Sequence, residues 1–289
     1  MPDPVRLDPI VRSTYQREII FYRELSRIVG VRTPVMYHGD VYEDSAVILM
    51  EDLSPAVPGD SEIGCSIEDA TVAVRALASL HARWWQDPKI ERLGWLWGAN
   101  RNSDHIQLAR PIDKGWSMAP REFREALPSE VKDLCSEELW AARLFQRLDD
   151  LPCTLTHPDF RLDNLLFDRS TKPTQVTIID WGRVTFAPPA QALAYLLARE
   201  SGLDADDIKT CLDLYQNELF RLGVADYKPE QALIDFRLGV LQVLAVSLWQ
   251  FQSGSNLEMN DRILAMRRQG WERANRVLID FDCVSAISE

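Results

Sequence analysis

A chain of 289 residues, of which 46% are hydrophobic, is long enough to bury a sizeable core in one large domain or two modest ones. Its formal net charge of -12 argues against binding to nucleic acid or an anionic membrane, and it serves solubility or favours a cationic substrate. We find no signal peptide and no apolar run long enough to span a membrane, and five scattered cysteines without metal-binding spacing predict reduced thiols in a cytoplasmic protein.

The N-terminal part is predicted to hold one helix followed by two strands. Apolar residues at near-helical spacing favour a helix over residues 15–29, which Gly30 would stop. Two runs rich in β-branched and aromatic residues, 35–42 and 46–50, are separated by a polar turn. They are therefore predicted to pair as strands.

A stretch rich in proline and glycine, residues 54–64, is typical of a linker. We place the boundary between two lobes at its start. Residues 1–53 are then a partial N-terminal lobe, and residues 54–289 are a larger and mainly helical C-terminal lobe.

Most of the C-terminal lobe is predicted to be helical. Ser66 and Asp69 have the spacing of a capping box, and the helix that they begin carries an apolar face. His81 lies on this face, and we predict a structural role for it. Residues 123–148 are predicted to be largely helical, with a break near Pro128. Four further helices are expected, at residues 190–199, 205–222, 229–252 and 259–277.

The most informative stretch, residues 155–168, contains the pattern His157-x-Asp159-x-x-x-x-Asn164. A short apolar strand begins at its end, and after a turn a second strand leads to Asp180-Trp-Gly. This order suits phosphoryl transfer from a nucleotide. One carboxylate accepts the proton of the attacking hydroxyl, while an amide and a second carboxylate hold magnesium on the phosphates.

The two strands are predicted to form a hairpin, in which Asn164 and Asp180 lie side by side at roughly 5 Å between Cα atoms. Asp159 lies on the loop that enters the hairpin, so the three polar side chains can converge. Two protein oxygens, completed by phosphate oxygens and water, are a usual shell for magnesium. A plain polar loop beside an ordinary hairpin is the alternative, but His157 in front and Asp180 behind favour the functional interpretation.

These residues resemble the aminoglycoside phosphotransferase and choline kinase-like family of small-molecule kinases, and in particular its ecdysteroid-kinase-like branch. The loop resembles the catalytic loop of that family, which more often reads His-Gly-Asp, and Ile-Asp180-Trp resembles its metal-binding motif. The resemblance runs from about residue 16 to residue 197. Three further stretches carry it, at residues 17–22, 47–53 and 78–85.

The resemblance implies a protein-kinase-like fold and transfer of the γ-phosphate of ATP to a hydroxyl of a small molecule. Asp159 would be either the base or the carboxylate that positions the hydroxyl, and Arg161 would contact the transferred phosphate. Asn164 and Asp180 would bind Mg²⁺. His157 would brace the loop.

The resemblance also implies a nucleotide site between the lobes. The carbonyl of Glu51 and the N–H of Leu53 would bind adenine, and Met50 would line its pocket. Glu18 matches the helix glutamate that pairs with a phosphate-binding lysine, although a solvated charge on an amphipathic helix is an equal alternative.

The chain departs from the family pattern ahead of Glu18. No glycine precedes Glu18 and no lysine occurs up to Gly30, so the glycine-rich loop and its lysine strand are absent from this sequence. Arg6 is a poor replacement for that lysine, because a guanidinium is not a compact ammonium. An open alternative is therefore a non-catalytic pseudokinase that binds a nucleotide or a partner. Another is that the missing elements are encoded upstream of Met1.

A metal-dependent hydrolase is a third class, but the chain lacks the histidine-rich ligand set that such an enzyme would use. The retained Asp159, Asn164 and Asp180 favour an enzyme over a pseudokinase. The sequence does not identify the small-molecule substrate or the oligomeric state.

Overall fold

The computed structural model describes residues 7–97, 104–252 and 261–289. In these residues small antiparallel sheets adjoin a mainly helical remainder, which confirms the predicted α+β class. The described α-helices, α1 to α11, are Pro9–Glu24, Ile67–Arg83, Pro88–Glu91, His105–Met118, Arg121–Glu125, Ser129–Ser136, Trp140–Asp149, Ala190–Ala194, Ala205–Arg221, Pro229–Gln252 and Asp261–Asp280. The described strands, β1 to β7, are Met36–Val41, Ala46–Met50, Val57–Pro58, Thr154–Thr156, Leu165–Asp168, Gln175–Ile178 and Thr185–Ala187.

The first helix lies earlier in the chain than the sequence analysis predicted. Asp8 caps α1 by accepting the N–H of Ile10 at 2.8 Å, and Pro9 occupies the first helical position, where a missing N–H costs little. The helix ends at Glu24, well before Gly30. The predicted range of 15–29 was wrong at both ends, because apolar periodicity was weighed above the Asp-Pro start signal.

The two predicted strands of the N-terminal part are confirmed as an antiparallel hairpin. β1 and β2 pair from Val41 opposite Ala46 to Met36 opposite Met50. The hairpin packs on α1 at Gly39, where an added Cβ would lie 3.0 Å from Ile19. A larger residue at this point would require the side chain of Met36 or Ile19 to shift.

The segment predicted to be a linker contains β3, which belongs to a sheet of the C-terminal part. Val57 pairs with Phe167 of β5, and β5 pairs in turn with β6. Just beyond β3, the N–H of Gly59 donates to the carbonyl of Leu165 at 3.0 Å. A strand of two residues leaves no periodicity in a sequence, so the linker prediction was incomplete. The lobe boundary between residues 53 and 54 stays a prediction.

Helix α2 forms as predicted. The hydroxyl of Ser66 accepts the N–H of Asp69 at 3.2 Å, which is the expected cap. The predicted apolar face is buried, and it packs against α9 and β4. The residues of that face are Ala70, Val74, Leu77, His81 and Trp84.

The region predicted as one broken helix is three helices, α5 to α7. The break near Pro128 is confirmed, and a second break falls at Leu139, whose φ of 57° is left-handed. Helix α4 was not predicted, because Pro111 lies inside it. Helix α9 ends one residue before its predicted end, at Arg221.

Helix α10 has the predicted bounds and is the centre of the C-terminal core. It is the one described helix that is long and apolar enough to cross a membrane, contrary to the sequence analysis, but 72% of that apolar window is buried inside the fold. Helix α4 crosses it at Gly115, where an added Cβ would overlap the carbonyl of Leu248. Packing in the core therefore accounts for its apolar composition. Helix α11 follows, and the first residues of its predicted range, 259–260, lie outside the described residues.

Candidate functional site

The segment that carries Asp159 is a loop between β4 and a 3₁₀ turn at Leu162–Asn164. The N–H of Arg161 donates to the carbonyl of Asp159 at 2.8 Å, and the N–H of Asn164 donates to the carbonyl of Arg161 at 2.9 Å. The side-chain amide of Asn164 also donates to the carbonyl of Asp159, at 2.9 Å. The loop is therefore fixed by its own backbone and by the amide of Asn164, whose Oδ1 atom has no hydrogen bond within the described residues.

The hairpin of β5 and β6 follows at once, with a register that differs from the prediction. Leu165 pairs with Ile178, and the N–H of Ile179 donates to the carbonyl of Asn164 at 3.0 Å. Asn164 therefore lies opposite Ile179, and Asp180 is one residue further along. The predicted pairing of Asn164 with Asp180 was wrong by one residue: Asn164 belongs to the 3₁₀ turn, and the ladder ends at Leu165 and Ile178, before Asp180 is reached.

Asp180 itself has a left-handed backbone, with φ 61° and ψ 62°. Non-glycine residues adopt this conformation rarely, and aspartate and asparagine do so more readily than most. The chain turns sharply here into a 3₁₀ turn at Trp181–Arg183. The turn points the backbone back toward α1.

This turn packs tightly on α1. The ring of Trp181 is fully buried and stacks on Phe21, with centroids 4.1 Å apart and planes at 7°. An added Cβ at Gly182 would overlap Thr14, so only glycine fits. Nε2 of His157 donates to the carbonyl of Ile179 at 3.0 Å, which ties the loop before Asp159 to the strand before Asp180.

Glu18 lies on the face of α1 that meets this turn. Its side chain is only 8% exposed, which excludes the alternative of a solvated charge. Burial, and next the negative charge of Asp180, raise the pKa of Glu18 to about 7, while the N–H of Trp181 opposes the shift. Among the described residues Glu18 has no ion pair with a lysine or arginine. Arg6 lies outside the described residues.

Arg161 lies between two carboxylates. Its Nε atom is 3.9 Å from Oδ2 of Asp159, and its Nη1 atom is 3.9 Å from Oδ2 of Asp163. Both distances are too long for hydrogen bonds. The guanidinium therefore lies near both carboxylates without a hydrogen bond to either, and its Nε atom is buried without a partner.

The segment predicted to bind adenine follows β2. The carboxylate of Glu51 accepts from both terminal nitrogens of Arg32, at 2.5 and 3.1 Å, and from the N–H of Val35 at 3.0 Å. The bond from Arg32 and that from Val35 lower the pKa of Glu51. The side chain is thus folded back on the hairpin. Within the described residues the carbonyl of Glu51 and the N–H of Leu53 have no hydrogen-bond partner, and half-buried Met50 ends the strand before them.

Arg32 connects the two parts of the site, and no pattern in the sequence predicted this role. Its side chain holds Glu51, and its backbone carbonyl accepts the N–H of Ile178 at 3.0 Å. The structure therefore joins Glu18, Asp159, Asn164 and Asp180 around one hairpin end, with the Glu51 segment attached through Arg32. No motif surrounds Arg32, and only the contact between distant segments identifies it.

His81 contacts the end of β4, just before the loop that carries Asp159. Its Nδ1 atom is 2.6 Å from the hydroxyl of Tyr215, and its Nε2 atom is 2.9 Å from Oγ1 of Thr156, which precedes His157. The ring is completely buried. These contacts agree with the structural role that the sequence analysis predicted.

The buried ring of His81 predicts a loss of stability in acid. Burial lowers its pKa from 6.5 to about 3, so the folded protein binds fewer protons than the unfolded chain between these values. Its contribution is complete above pH 6.5 and is lost as the pH falls toward 3. We expect the free energy of unfolding to fall by about 2–3 kcal/mol through His81 down to about pH 4.5. Denaturant titrations of wild type and His81→Gln would measure this difference.

The control for this experiment is His38→Gln, since His38 is exposed on β1. That variant should keep the pH dependence of the wild type, whereas His81→Gln should flatten it. If the free energy of unfolding changed with pH equally in wild type and His81→Gln, the acid sensitivity would not come from His81.

The sequence profile of a family described as the phosphotransferase enzyme family matches residues 5–227. Among solved structures, the GDP complex of an aminoglycoside 2'-phosphotransferase-IIIa mutant is similar, with a TM-score of 0.61 and 13% identity over 95% of this chain and 85% of that chain. An ethanolamine kinase of Plasmodium vivax gives a TM-score of 0.56 and 13% identity over 96% and 74% of the two chains. Choline kinase LicA of Streptococcus pneumoniae gives a TM-score of 0.53 and 16% identity over 93% of this chain and 84% of that chain. No curated protein matches the chain at a significant level.

At these identities the similarity to solved structures concerns the fold alone. It covers nearly the whole chain in each case, including the described helices of the C-terminal part. The predicted protein-kinase-like fold is therefore confirmed.

Proposed function

The chain belongs to the phosphotransferase enzyme family, and from this membership we propose that it transfers the γ-phosphate of ATP to a hydroxyl group of a small molecule. The observation that carries the proposal is the fixed loop and hairpin around which Asp159, Asn164 and Asp180 meet. The ecdysteroid-kinase-like branch stays a prediction. Five unpaired cysteines support a cytoplasmic location, and the net charge of -12 argues against nucleic acid as a partner.

Asp159 is proposed as the base of the reaction. It lies on a loop whose path is set by Asn164, so its carboxylate has a fixed position from which to accept the proton of the acceptor hydroxyl. Arg161, 3.9 Å from that carboxylate, would contact the transferred phosphate with donors that no protein group occupies at hydrogen-bond distance. The remaining barrier is lowered by alignment of donor and acceptor.

Asn164 and Asp180 fit a magnesium site. The amide nitrogen of Asn164 is engaged with the carbonyl of Asp159, so its oxygen is the free ligand atom. An amide oxygen and a carboxylate are hard oxygen ligands, which suit Mg²⁺. When bound, Mg²⁺ would neutralise charge on the phosphates of the nucleotide. It would also offset the repulsion between Asp180 and Glu18.

The adenine base is proposed to bind the segment after β2. The free carbonyl of Glu51 and the free N–H of Leu53 have the polarity to bind the adenine edge, and Met50 would contact the ring. The pairing of Glu51 with Arg32 would keep its side chain out of that space.

A nucleotide-binding pseudokinase is the second candidate. It is favoured by the lack of any glycine before Glu18 and by the lack of a described cationic partner for Glu18. Both candidates retain the groups that would bind the metal ion and adenine. The rate of phosphoryl transfer is therefore the property that distinguishes them.

The affinity for nucleotide tests the proposed site. Without a glycine-rich loop and its lysine, the terminal phosphates lose backbone donors and one positive charge. We expect a Kd for Mg-ATP of about tens to hundreds of micromolar, or about -4 to -6 kcal/mol, with little discrimination between ATP and ADP. Isothermal calorimetry on the 289-residue chain would measure both.

Slow transfer of phosphate to a panel of hydroxyl compounds would favour the enzyme, and binding without any transfer would favour the pseudokinase. Tight binding that depends on the γ-phosphate would contradict this account, because another part of the chain would then hold that phosphate.

A further inference from the structure

The C-terminal helix α11 lies beyond the part of the chain that the family profile matches, residues 5–227, yet one of its side chains reaches the neighbourhood of the proposed site. Nη1 of Arg273 donates to the carbonyl of Ser61 at 2.9 Å and to that of Glu200 at 2.8 Å. Nη2 donates to the carbonyl of Glu62 at 2.6 Å. One half-buried side chain therefore joins α11 to two segments that are distant in the sequence.

The first of these segments, residues 59–62, follows β3 and packs on the 3₁₀ turn that contains Asn164. The N–H of Gly59 donates to the carbonyl of Leu165 at 3.0 Å, just after the turn. An added Cβ at Gly59 would lie 2.9 Å from Cβ of Leu162, the first residue of the turn. The segment therefore contacts the chain on both sides of Asn164.

The second segment is the end of a π-helical turn, Tyr195–Glu200, which follows α8. The side chain of Glu200 is buried, and its Oε2 atom accepts the N–H of Leu162 at 3.4 Å. Its Oε1 atom lies 3.8 Å from Nε of Arg199. Glu200 thus supports the first residue of the same 3₁₀ turn through its side chain, while its backbone carbonyl is held by Arg273.

Arg273 therefore acts on the turn from two directions without touching it. All three of its acceptors are backbone carbonyls, so the guanidinium fixes the path of the chain at both supports. A guanidinium presents its donors in a rigid fork, which a lysine ammonium does not reproduce. Within the supported turn, the amide of Asn164 donates to the carbonyl of Asp159 at 2.9 Å. The contacts of Arg273 are thus transmitted to the loop that carries Asp159.

We propose that Arg273 and Glu200 are positioning residues for the proposed Mg²⁺ site, because they fix the turn that carries Asn164. This inference rests on the proposed function, since it takes Asn164 as a ligand of the ion. Residues that hold a metal ligand in place typically contribute roughly 10–100-fold to metal affinity. The C-terminal helix then determines how well the chain binds Mg-ATP, although it contributes no ligand.

Hydrogen exchange on the full chain without ligand tests the supporting contacts. In Arg273→Gln, the amides of Gly59 and Leu162 should exchange severalfold faster than in the wild type, because the segments that hold them lose their link to α11. Amides that pair β1 with β2 should exchange at the rate of the wild type. The matched control is Arg276→Gln, which removes the same charge from an exposed position one turn later on α11 and should leave all these rates unchanged.

The affinity for Mg-ATP tests the positioning role. We expect its Kd to rise about tenfold in Arg273→Gln and less in Arg273→Lys. Glu200→Gln keeps an oxygen that can accept the N–H of Leu162, so it should weaken Mg-ATP binding less than Glu200→Ala does. The Kd for ATP with a chelator should stay the same in all variants, since the turn acts through the metal ligand. Calorimetry would measure both constants, with thermal melting as the check that each variant is folded.

A role in stability alone would lower the melting temperature of Arg273→Gln without changing its affinity for Mg-ATP, and that result would overturn the proposal. An equal loss of affinity in Arg276→Gln, or a loss that persists with chelator, would overturn it as well. If Arg273→Gln does not fold, Arg273→Lys and Glu200→Gln carry the same comparisons. Failure of the proposed function would instead appear as absence of Mg-ATP binding by the wild type, while the differences in hydrogen exchange remain.

Discussion

Replacing Asp159 by asparagine is expected to lower phosphoryl transfer by about 10²–10⁴-fold while Mg-ATP binding stays nearly unchanged. The side chain keeps its size, and the loop keeps its path because backbone bonds and the amide of Asn164 hold it. The variant loses the ability to accept a proton, which matters in the transition state and not in the ground state, and it also loses a negative charge beside Arg161. Steady-state kinetics and calorimetry on the same preparation would separate the two effects.

The control for Asp159→Asn is Asp163→Asn, which removes a carboxylate at the same 3.9 Å distance from Arg161. The rate of phosphoryl transfer should fall far less in Asp163→Asn than in Asp159→Asn. Both variants lose one negative charge near Arg161, but Asp163→Asn keeps the proposed base. An equal loss of transfer rate in both variants would mean that the negative charge around Arg161 determines the rate, and that Asp159 does not act as the base. Wild-type turnover by Asp159→Asn would refute its assignment as the base.

The segment proposed as catalytic could be located from the sequence because its pattern is local. His157, Asp159 and Asn164 fall within one loop, and the β-branched run that leads to Asp180 marks the second strand of the hairpin. The error of one residue in register has the same origin. The 3₁₀ turn that contains Asn164 and the left-handed Asp180 lie just outside the ladder, and neither changes the hydrophobic pattern from which the pairing was read.

The features that escaped prediction depend on contacts between distant segments. Arg32 is identified only by its bonds to Glu51 and Ile178, and β3 only by its pairing with β5. The π-helical turn at Tyr195–Glu200 was equally invisible, because the apolar pattern of the segment fits an ordinary α-helix as well. Amphipathic helices with clear caps, such as α2, were predicted well since pattern and capping agree there.

Replacing Asp180 by alanine is expected to abolish the stabilisation that Mg-ATP gives to the protein. For the wild type at about 100 times the Kd, linkage predicts about 2.7 kcal/mol of added stability. Asp180 supplies the only negative charge of the proposed ligand pair, and the free oxygen of Asn164 alone is a weak ligand for Mg²⁺. Thermal shifts with Mg-ATP, with ATP and chelator, and with Mg²⁺ alone would separate the metal from the nucleotide.

Two further variants make the result specific to the metal. Alanine at Asp180 also strains a left-handed backbone, so Asp180→Asn, which tolerates that conformation and keeps an oxygen, should lose most of the Mg²⁺-dependent shift without the strain. Asp213→Ala, an exposed position on α9, should keep the full shift. Since Asp180 raises the pKa of Glu18, both substitutions at Asp180 should also ease the ionisation of Glu18 near neutral pH. Equal stabilisation of wild type and Asp180→Asn by Mg-ATP would remove Asp180 from the metal site and leave Asn164 without a partner there.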